Sequence, residues 1–335
     1  YIYNRDVNGI YYINANLPAA ESAYTGIDPR PRWVSVNGLI ATRLPANQNV
    51  SDTVVLKNEG IGRSWNVAES ISKSYRNGIF FKGAYSYGQA KNTVDAGSIA
   101  FGSWQSNQIP ADANNPPLAY STASPGHRVF LSGAYTKDYL GFGQTTVGVF
   151  WDAHTIGNTS YVFSGDANGD TGTGNDLLYI PRNQSEMNFQ QFISGGVTFT
   201  PPQQAAAWDA YISQDPYLSK HRGQYVQRNA VFLPLVKRMD LSVTQDVFHS
   251  LAGARHGFAV RLDILNFGNL VNKNWGVSQR IVSNSPLTNP SADANGALTY
   301  RMRVINGALM DHTYEPTAGL DDVYKFMVTL RYTFR

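Results

Sequence analysis

The chain of 335 residues contains no cysteine. Disulfide bonds, thiol catalysis and cysteine-based zinc sites are therefore excluded. Charge is scarce as well, because Asp, Glu, Lys and Arg make up 15% of the residues, against about a quarter in an average soluble protein. The net charge of +3 is small and no run of Lys or Arg stands out, so we do not expect nucleic acid as a partner.

Long apolar segments are also missing, since no stretch approaches the ~18 apolar residues that a transmembrane helix needs. The sequence has no G-x-S-x-G, H-E-x-x-H, P-loop or dinucleotide fingerprint, and we therefore expect no enzyme activity. Abundant instead are Tyr, Phe and Gly, with 20, 16 and 30 residues. A β-barrel between lipid and water has such a composition, and so does a soluble β-sandwich.

Apolar and aromatic residues alternate with mostly polar ones along the last segment. The apolar set is Tyr324, Phe326, Val328, Leu330, Tyr332 and Phe334. The intervening set is Lys325, Met327, Thr329, Arg331, Thr333 and Arg335. Because alternate side chains of a strand point to opposite faces, this pattern predicts a strand with one face toward lipid and the other toward a wet lumen. Outer-membrane barrels commonly end on an aromatic residue, and here Arg335 follows it.

Four more segments alternate in the same way, at residues 128–136, 146–152, 239–247 and 258–264. Arg261 and Asp263 share the polar face of the last one, where a dry core would cost several kcal/mol for each charge. The polar face is therefore predicted to be wet. Residues 67–75 fit less well, because Glu69 and Lys73 share the phase of the apolar residues. Either a bulge shifts the phase there, or both side chains lie near lipid headgroups.

Short and long connections alternate along the chain. The short ones are Arg76-Asn77-Gly78, with Asn77 and Gly78 at positions that need positive φ, residues 138–143 and residues 250–255. The long ones are residues 92–126, 164–234 and 307–322. Transmembrane barrels have short periplasmic turns and long extracellular loops. We count about eleven strands, which is half of the about twenty-two in a large transporter barrel, and leave the strands before residue 64 open.

Four segments resemble the barrel of Oar-like TonB-dependent transporters: Asn66 to Asn92, Gly165 to Pro181, Gln214 to Asn229 and Asp263 to Gly276. The resemblance implies an all-β fold, the C-terminal half of a transmembrane antiparallel β-barrel in the bacterial outer membrane. Residues 1–335 would form one part of that barrel, and the plug and N-terminal extension would be absent from this chain. The implied partners are the lipid bilayer and lipopolysaccharide, an upstream plug and barrel half (in the same polypeptide or a separate chain), and the TonB complex through the plug.

Three functions stay open. The first is a receptor that binds a ligand at the cell surface and passes it inward when combined with its plug and TonB. The second is a structural or adhesive outer-membrane barrel without transport. The third is a soluble all-β binding protein, which detergent dependence would separate from the other two.

One loop carries candidate calcium ligands. Asp166, Asn168, Asp170 and Asp176 offer hard oxygens on a glycine-rich segment, which is what calcium prefers. The Glu that an EF-hand has at its twelfth position is missing, because Leu177 stands there. The alternative is a polar turn built by Asp and Asn side chains.

A second loop carries candidate ligand contacts. His221, Arg222 and Arg228 follow a predicted helix from Gln203 to Ser213, and they would contact or gate a ligand in the long loop. The alternative is a loop packed by its own hydrogen bonds. Six tryptophans invite a sugar-binding interpretation, although anchoring at membrane interfaces is the better default. They are Trp33, Trp65, Trp104, Trp151, Trp208 and Trp275.

Overall fold

The computed structural model describes residues 1–35, 37–141, 143–251 and 254–334. In chain order its strands are β1 (Ile2–Arg5), β2 (Gly9–Asn14), β3 (Ser22–Ala23), β4 (Pro31–Arg32), β5 (Val54–Glu59), β6 (Arg63–Ser74), β7 (Ile79–Asn92), β8 (Ala119–Tyr120), β9 (Gly126–Lys137), β10 (Thr145–Thr155), β11 (Asn158–Thr159), β12 (Phe163–Ser164), β13 (Phe192–Ser194), β14 (Val197–Phe199), β15 (Val231–Phe232), β16 (Leu235–Leu251), β17 (Ala254–Leu265), β18 (Gln279–Ile281), β19 (Leu287–Ala292), β20 (Leu298–Met302), β21 (Val304–Ile305), β22 (Ala308–Leu309), β23 (Tyr314–Pro316) and β24 (Lys325–Phe334).

Helices are few and short. They are α1 (Ala100–Gln105), α2 (Pro201–Gln214) and α3 (Phe267–Val271), with 3-10 turns at Pro45–Asn47, Gln184–Glu186, Leu218–Lys220 and Leu320–Asp322. Helix α2 confirms the helix predicted from Gln203 to Ser213. It begins with a capping box between Thr200 and Gln203 and has prolines in its first turn, where the missing N–H costs nothing. Across the described residues, none of the helices has the length and apolar character to cross a membrane.

The largest sheet is antiparallel and confirms the mostly-β prediction. Eight strands follow one another in the order β1-β6-β7-β9-β10-β16-β17-β24, and β8 pairs with the end of β7. This is fewer than the about eleven strands expected, and the other strands form small local sheets, such as β18 with β23 and β19 with β20. Within the described residues, β1 pairs with β6 and β24 pairs with β17, so the two edges of the sheet do not meet.

The predicted apolar residues of separate strands lie on one continuous face of this sheet. One row of cross-strand partners runs through Val328, Leu262, Val243, Val147, Tyr135 and Ile79. Much of this face is uncovered, since Val328 is 67% exposed and Leu330 is 66% exposed. The opposite face carries Thr329, Arg261, Thr244, Thr146 and Thr136 in the neighbouring row.

The pairing of strand β6 rules out one of the two explanations for its charged residues. Its pairing with β7 is continuous from Arg63 to Ser74, so a bulge is the wrong explanation. Glu69 lies opposite Tyr85, and Lys73 lies opposite Phe81 on the same apolar face. Near the turn, the ammonium group of Lys73 lies 5.1 Å from the ring centre of Tyr75.

The short connections occur where the sequence predicts them. Gly78 has a φ of +86°, and its N–H donates to the carbonyl of Tyr75 at 3.2 Å. Asn77 has no positive φ, so that prediction is wrong, because the loop is a three-residue turn ending in a left-handed glycine rather than a two-residue turn. The 138–143 turn joins β9 to β10. Residues 142, 252, 253 and 335 lie outside the described residues, including the tip of the predicted 250–255 turn and the predicted terminal Arg335.

All long connections join strand ends on one side of the sheet. They are residues 6–62, 93–125, 156–234 and 266–324, and together we call them the loop cap. The cap has two buried apolar clusters, one around Trp208 and Tyr161 and the other around Trp104 and Trp33. The interface prediction is therefore wrong for these three tryptophans, because they fill the cap. Trp275, in contrast, is exposed.

Candidate functional site

The predicted calcium loop, residues 165–176, folds as a chain of tight turns inside the loop cap. The carboxylate of Asp166 accepts from the backbone N–H groups of Gly169 at 2.6 Å and Thr171 at 2.9 Å. The carboxylate of Asp170 accepts from the N–H of Gly172 at 2.8 Å. Thr171 has a φ of +76°, a left-handed conformation that most non-glycine residues avoid. The loop is thus built by its own acidic side chains.

Asp176 belongs to a different group of charges. Its carboxylate lies 3.3 Å from the guanidinium of Arg30, which is fully buried and also pairs with Asp28 at 2.8 Å. Arg30 donates in addition to the carbonyl of Leu177 at 2.9 Å. One oxygen of Asp176 thus faces Arg30, while its other oxygen accepts from the N–H of Ala167 inside the calcium loop at 2.7 Å. Nothing in the sequence indicates the pairing of Arg30 with Asp176, since the two residues are 146 positions apart.

Burial dominates the electrostatics of the calcium loop. It raises the pKa of Asp166 and of Asp170, against the hydrogen bonds that lower it. Burial also raises the pKa of Asp176 to about 7, although Arg30 lowers it, and Asp170 adds repulsion. Among the described residues, no three His, Cys, Asp or Glu side chains converge on a point that would hold a metal ion. The four-ligand calcium site stays a prediction.

Arg228 is buried and forms hydrogen bonds that join two long segments of the cap. It is 4% exposed, and its guanidinium donates to the side-chain oxygen of Asn107 at 2.6 Å and to the carbonyl of Asn92 at 2.7 Å. Burial lowers its pKa, while Asp95 acts in the opposite direction. In this arrangement the side chain holds residues 156–234 against residues 93–125.

His221 and Arg222 also bond to the protein itself. The His221 ring stacks on Tyr217 with centres 4.2 Å apart. Arg222 pairs with Asp209 at 2.7 Å and donates to the hydroxyl of Ser213 at 3.1 Å, both on α2. The three predicted ligand contacts thus have separate partners, which agrees with the alternative of a loop packed by its own hydrogen bonds.

A cavity of about 310 Å³ opens in the cap among residues that no sequence motif indicates. Its aromatic walls include Phe163, Tyr179 and Tyr300, and its acidic residues are Asp28, Glu186 and Asp293. Two of these acids are paired within the protein: Glu186 accepts from Arg182 at 2.8 Å, and Asp28 accepts from Arg30. Aromatic faces and carboxylates together suit a cationic or hydrogen-bonding ligand.

The polar face of the large sheet carries paired charges. Arg261 and Asp263 lie 2.7 Å apart on β17, and Arg331 of β24 lies 3.7 Å from Asp246 of β16. Asp152 of β10 pairs with Arg128 at 3.2 Å and also contacts the ring of His154. These residues give the polar face both positive and negative charges.

Comparisons with known proteins found no relative: no family model, no curated protein and no solved structure matches the chain. The resemblance to Oar-like transporters therefore depends on the four sequence segments alone.

Proposed function

We propose that this chain is part of a bacterial outer-membrane β-barrel of the TonB-dependent transporter kind, with the apolar face of the large sheet toward lipid. The single observation that carries this proposal is the uncovered apolar face that crosses the large sheet. In water such a face would be a site of aggregation or docking. In a bilayer it is the expected outer surface of a barrel.

The polar face supports an aqueous lumen. Its threonines and its paired charges, including Arg261 with Asp263, alternate with the apolar residues along β16, β17 and β24. Charges of this kind cost little beside water and several kcal/mol each in a dry core. Lipid outside and water inside satisfies both faces at once.

The connections support an orientation. The tight turns, including the one at Gly78, lie at one end of the sheet, and the whole loop cap lies at the other. Since short turns face the periplasm in such barrels and long loops face outward, the cap would lie at the cell surface, in contact with lipopolysaccharide.

The open edges support an incomplete barrel. Backbone groups of β1 and β24 that lack a neighbour would each cost several kcal/mol in lipid, so both strands need partners. We propose that these partners belong to the other half of the barrel, which would also hold the plug that TonB acts on. A structure of the native particle from membranes tests this. Direct pairing of β1 with β24 would contradict it.

The absence of cysteine allows a direct test of the two faces. Single cysteines at Val243, Val328 and Leu330 and at Thr244, Thr329 and Arg331 would each take a spin label on a chain with no other thiol. In bilayers we expect the first set to be accessible to oxygen dissolved in lipid and the second to a water-soluble nickel complex. Equal water exposure of both sets would sink the barrel proposal and favour a soluble all-β binding protein.

A non-transporting structural or adhesive barrel is the second candidate. The specific observation that favours it is that Arg222 and Arg228 form hydrogen bonds with other residues of the cap. Ligand uptake by cells that carry the complete gene, with and without a functional TonB complex, separates the two. Uptake that is lost without TonB supports transport, and surface binding that is independent of TonB supports adhesion.

A further inference from the structure

We propose that the acidic loop binds one calcium ion through Asp166, Asn168, Asp170 and Asn175, and that this ion holds together three parts of the loop cap. The ligand set differs from the one that the sequence indicates, because Asn175 replaces Asp176. The inference is independent of the proposed function, since it concerns only the cap and applies equally to a transporter, an adhesin or a soluble protein.

The observation that points to a ligand is an orphaned oxygen. Asn175 is 1% exposed, and its side-chain oxygen has no hydrogen-bond partner among the described residues. Its amide lies inside the loop, with the nitrogen 3.2 Å from the carboxylate of Asp170. Gly172 leaves the space for it, because a Cβ there would lie 2.7 Å from the same oxygen. A buried carbonyl oxygen without a donor is costly, and a hard cation would satisfy it.

The neighbouring charges lack a counter-ion. Asp170 is 1% exposed and Asn168 is 2% exposed. Arg30, the buried cation nearby, pairs with Asp28 and Asp176, and within the described part of the chain neither Asp166 nor Asp170 forms an ion pair. Two carboxylates and two amide oxygens leave room for backbone carbonyls to complete the six to eight oxygens that calcium prefers.

The spacing agrees with a calcium loop. Asp166, Asn168 and Asp170 stand at the first, third and fifth positions, and the left-handed residue Thr171 stands at the sixth, where calcium loops make their sharp turn. Asp176, at the eleventh, has one oxygen on Arg30 and the other on the N–H of Ala167. Its role would be to neutralise that guanidinium rather than to bind the ion.

An ion in this loop would hold together three long segments of the cap that are far apart in the sequence. The carbonyl of Asn168 accepts from the N–H of Trp33 at 2.8 Å, and that of Ala167 accepts from the hydroxyl of Tyr24 at 2.7 Å. The amide of Asn168 donates to the carbonyl of Ala111 at 3.3 Å. Residues 6–62, 93–125 and 156–234 thus meet at this loop, and fixing it fixes all three.

The test uses the full chain, purified in detergent and stripped with a chelator, and titrated with calcium chloride in a calorimeter. We expect one saturable site that magnesium does not fill, at least tenfold weaker in Asp170→Ala and in Asn175→Ala. Asp311→Ala, which removes an exposed acid of the cap, is the matched control and should bind as the parent does. Calcium held by residual lipopolysaccharide would be equal in all of these samples.

Terbium luminescence provides a second readout that also reports folding. Trp33 lies beside the loop, so terbium bound there should be sensitised by indole excitation and displaced by calcium. Retained strand protection in hydrogen exchange shows that a variant has folded. Absence of saturable calcium heat in the stripped parent overturns the site. Loss of binding in Asp176→Asn with normal binding in Asn175→Ala overturns the proposed ligand set.

Discussion

The guanidinium of Arg30 lies 3.3 Å from the carboxylate of Asp176, although the two residues are 146 positions apart in the sequence. Both side chains are completely buried. Removing one partner of a buried ion pair leaves a charge without compensation and costs about 3–5 kcal/mol. Arg30→Met should therefore lower the free energy of unfolding of the cap by about this amount.

The measurement for Arg30→Met is hydrogen exchange across residues 24–33 and 161–180. The control is Arg280→Met, which removes an exposed pair with Glu315 at 2.7 Å and should cost about 0–1 kcal/mol. Equal exchange in the two variants would show that the buried pair does not hold the cap.

Charge on the apolar face provides the second prediction. Val243 lies in the middle of the apolar row, and Thr244 is its neighbour on the polar face. Val243→Arg should lower the free energy of unfolding in lipid by about 2–4 kcal/mol if the site is near the bilayer midplane, as should Leu330→Arg. Thr244→Arg should cost much less. Urea unfolding of vesicle-inserted protein measures the difference, and a larger cost for Thr244→Arg would reverse the assignment of the faces.

Two glycines in the short turns form a matched pair for the third prediction. Gly78 and Gly141 both have positive φ, at +86° and +74°. A Cβ on Gly78 would lie 2.1 Å from the carbonyl oxygen of Thr136, whereas one on Gly141 would meet nothing within 4 Å. Gly141→Ala should cost about 1–2 kcal/mol, the price of the left-handed backbone alone, and Gly78→Ala clearly more. Urea unfolding measures both variants. Equal losses of unfolding free energy would show that the close approach of Gly78 to Thr136 has no effect on stability.

Asp322 provides a prediction about acid. Burial raises the pKa of this carboxyl, but hydrogen bonds from Thr317 at 2.6 Å, Ser278 at 2.8 Å and Gly319 at 2.9 Å bring it down to about 2, from an ordinary 3.8. Because the folded-state pKa is the lower one, the stabilisation is complete above about pH 4 and is lost as the pH falls toward 2.

Asp322→Asn should remove this acid dependence. Unfolding at stepped pH between 5 and 2 tests it, with the exposed Asp311→Asn as control. Between pH 4 and pH 2, the free energy of unfolding of the parent and of the control should fall more steeply than that of Asp322→Asn. Parallel curves for all three proteins would show that the Asp322 contacts contribute nothing to acid sensitivity.

The strands could be predicted from the sequence because their signal is local. Alternation along residues 239–247 or 258–264 depends only on neighbours in the chain, and the structure places all of these apolar residues on one face. The charged residues of β6 could not be assigned in the same way. Whether Glu69 lies opposite Tyr85 depends on the register with β7, which a single strand does not reveal.

The cap was much less accessible to prediction, since its contacts join distant segments. Spacing indicates Asp166, Asn168, Asp170 and Asp176 as ligands, whereas the chain gives no sign that Arg30 would pair with Asp176. The proposed role of Asn175 has no signal in the sequence, because an amide beside an aspartate has no motif of its own. Its importance depends on complete burial and a missing donor, which only the folded chain provides.

The row of partners that begins at Val328, in the middle of β24, ends at Ile79, the first residue of β7. The row of cross-strand partners therefore runs from the middle of one strand to the turn end of another, which means that the strands are offset along the sheet. In the barrel proposed above, with its turns level with the bilayer surface, the strands would be tilted relative to the membrane normal. The observed pairing registers determine this tilt. A strand that pairs with β1 or β24 in that proposed barrel would continue the same offset, so the observed registers constrain the registers of the proposed neighbours.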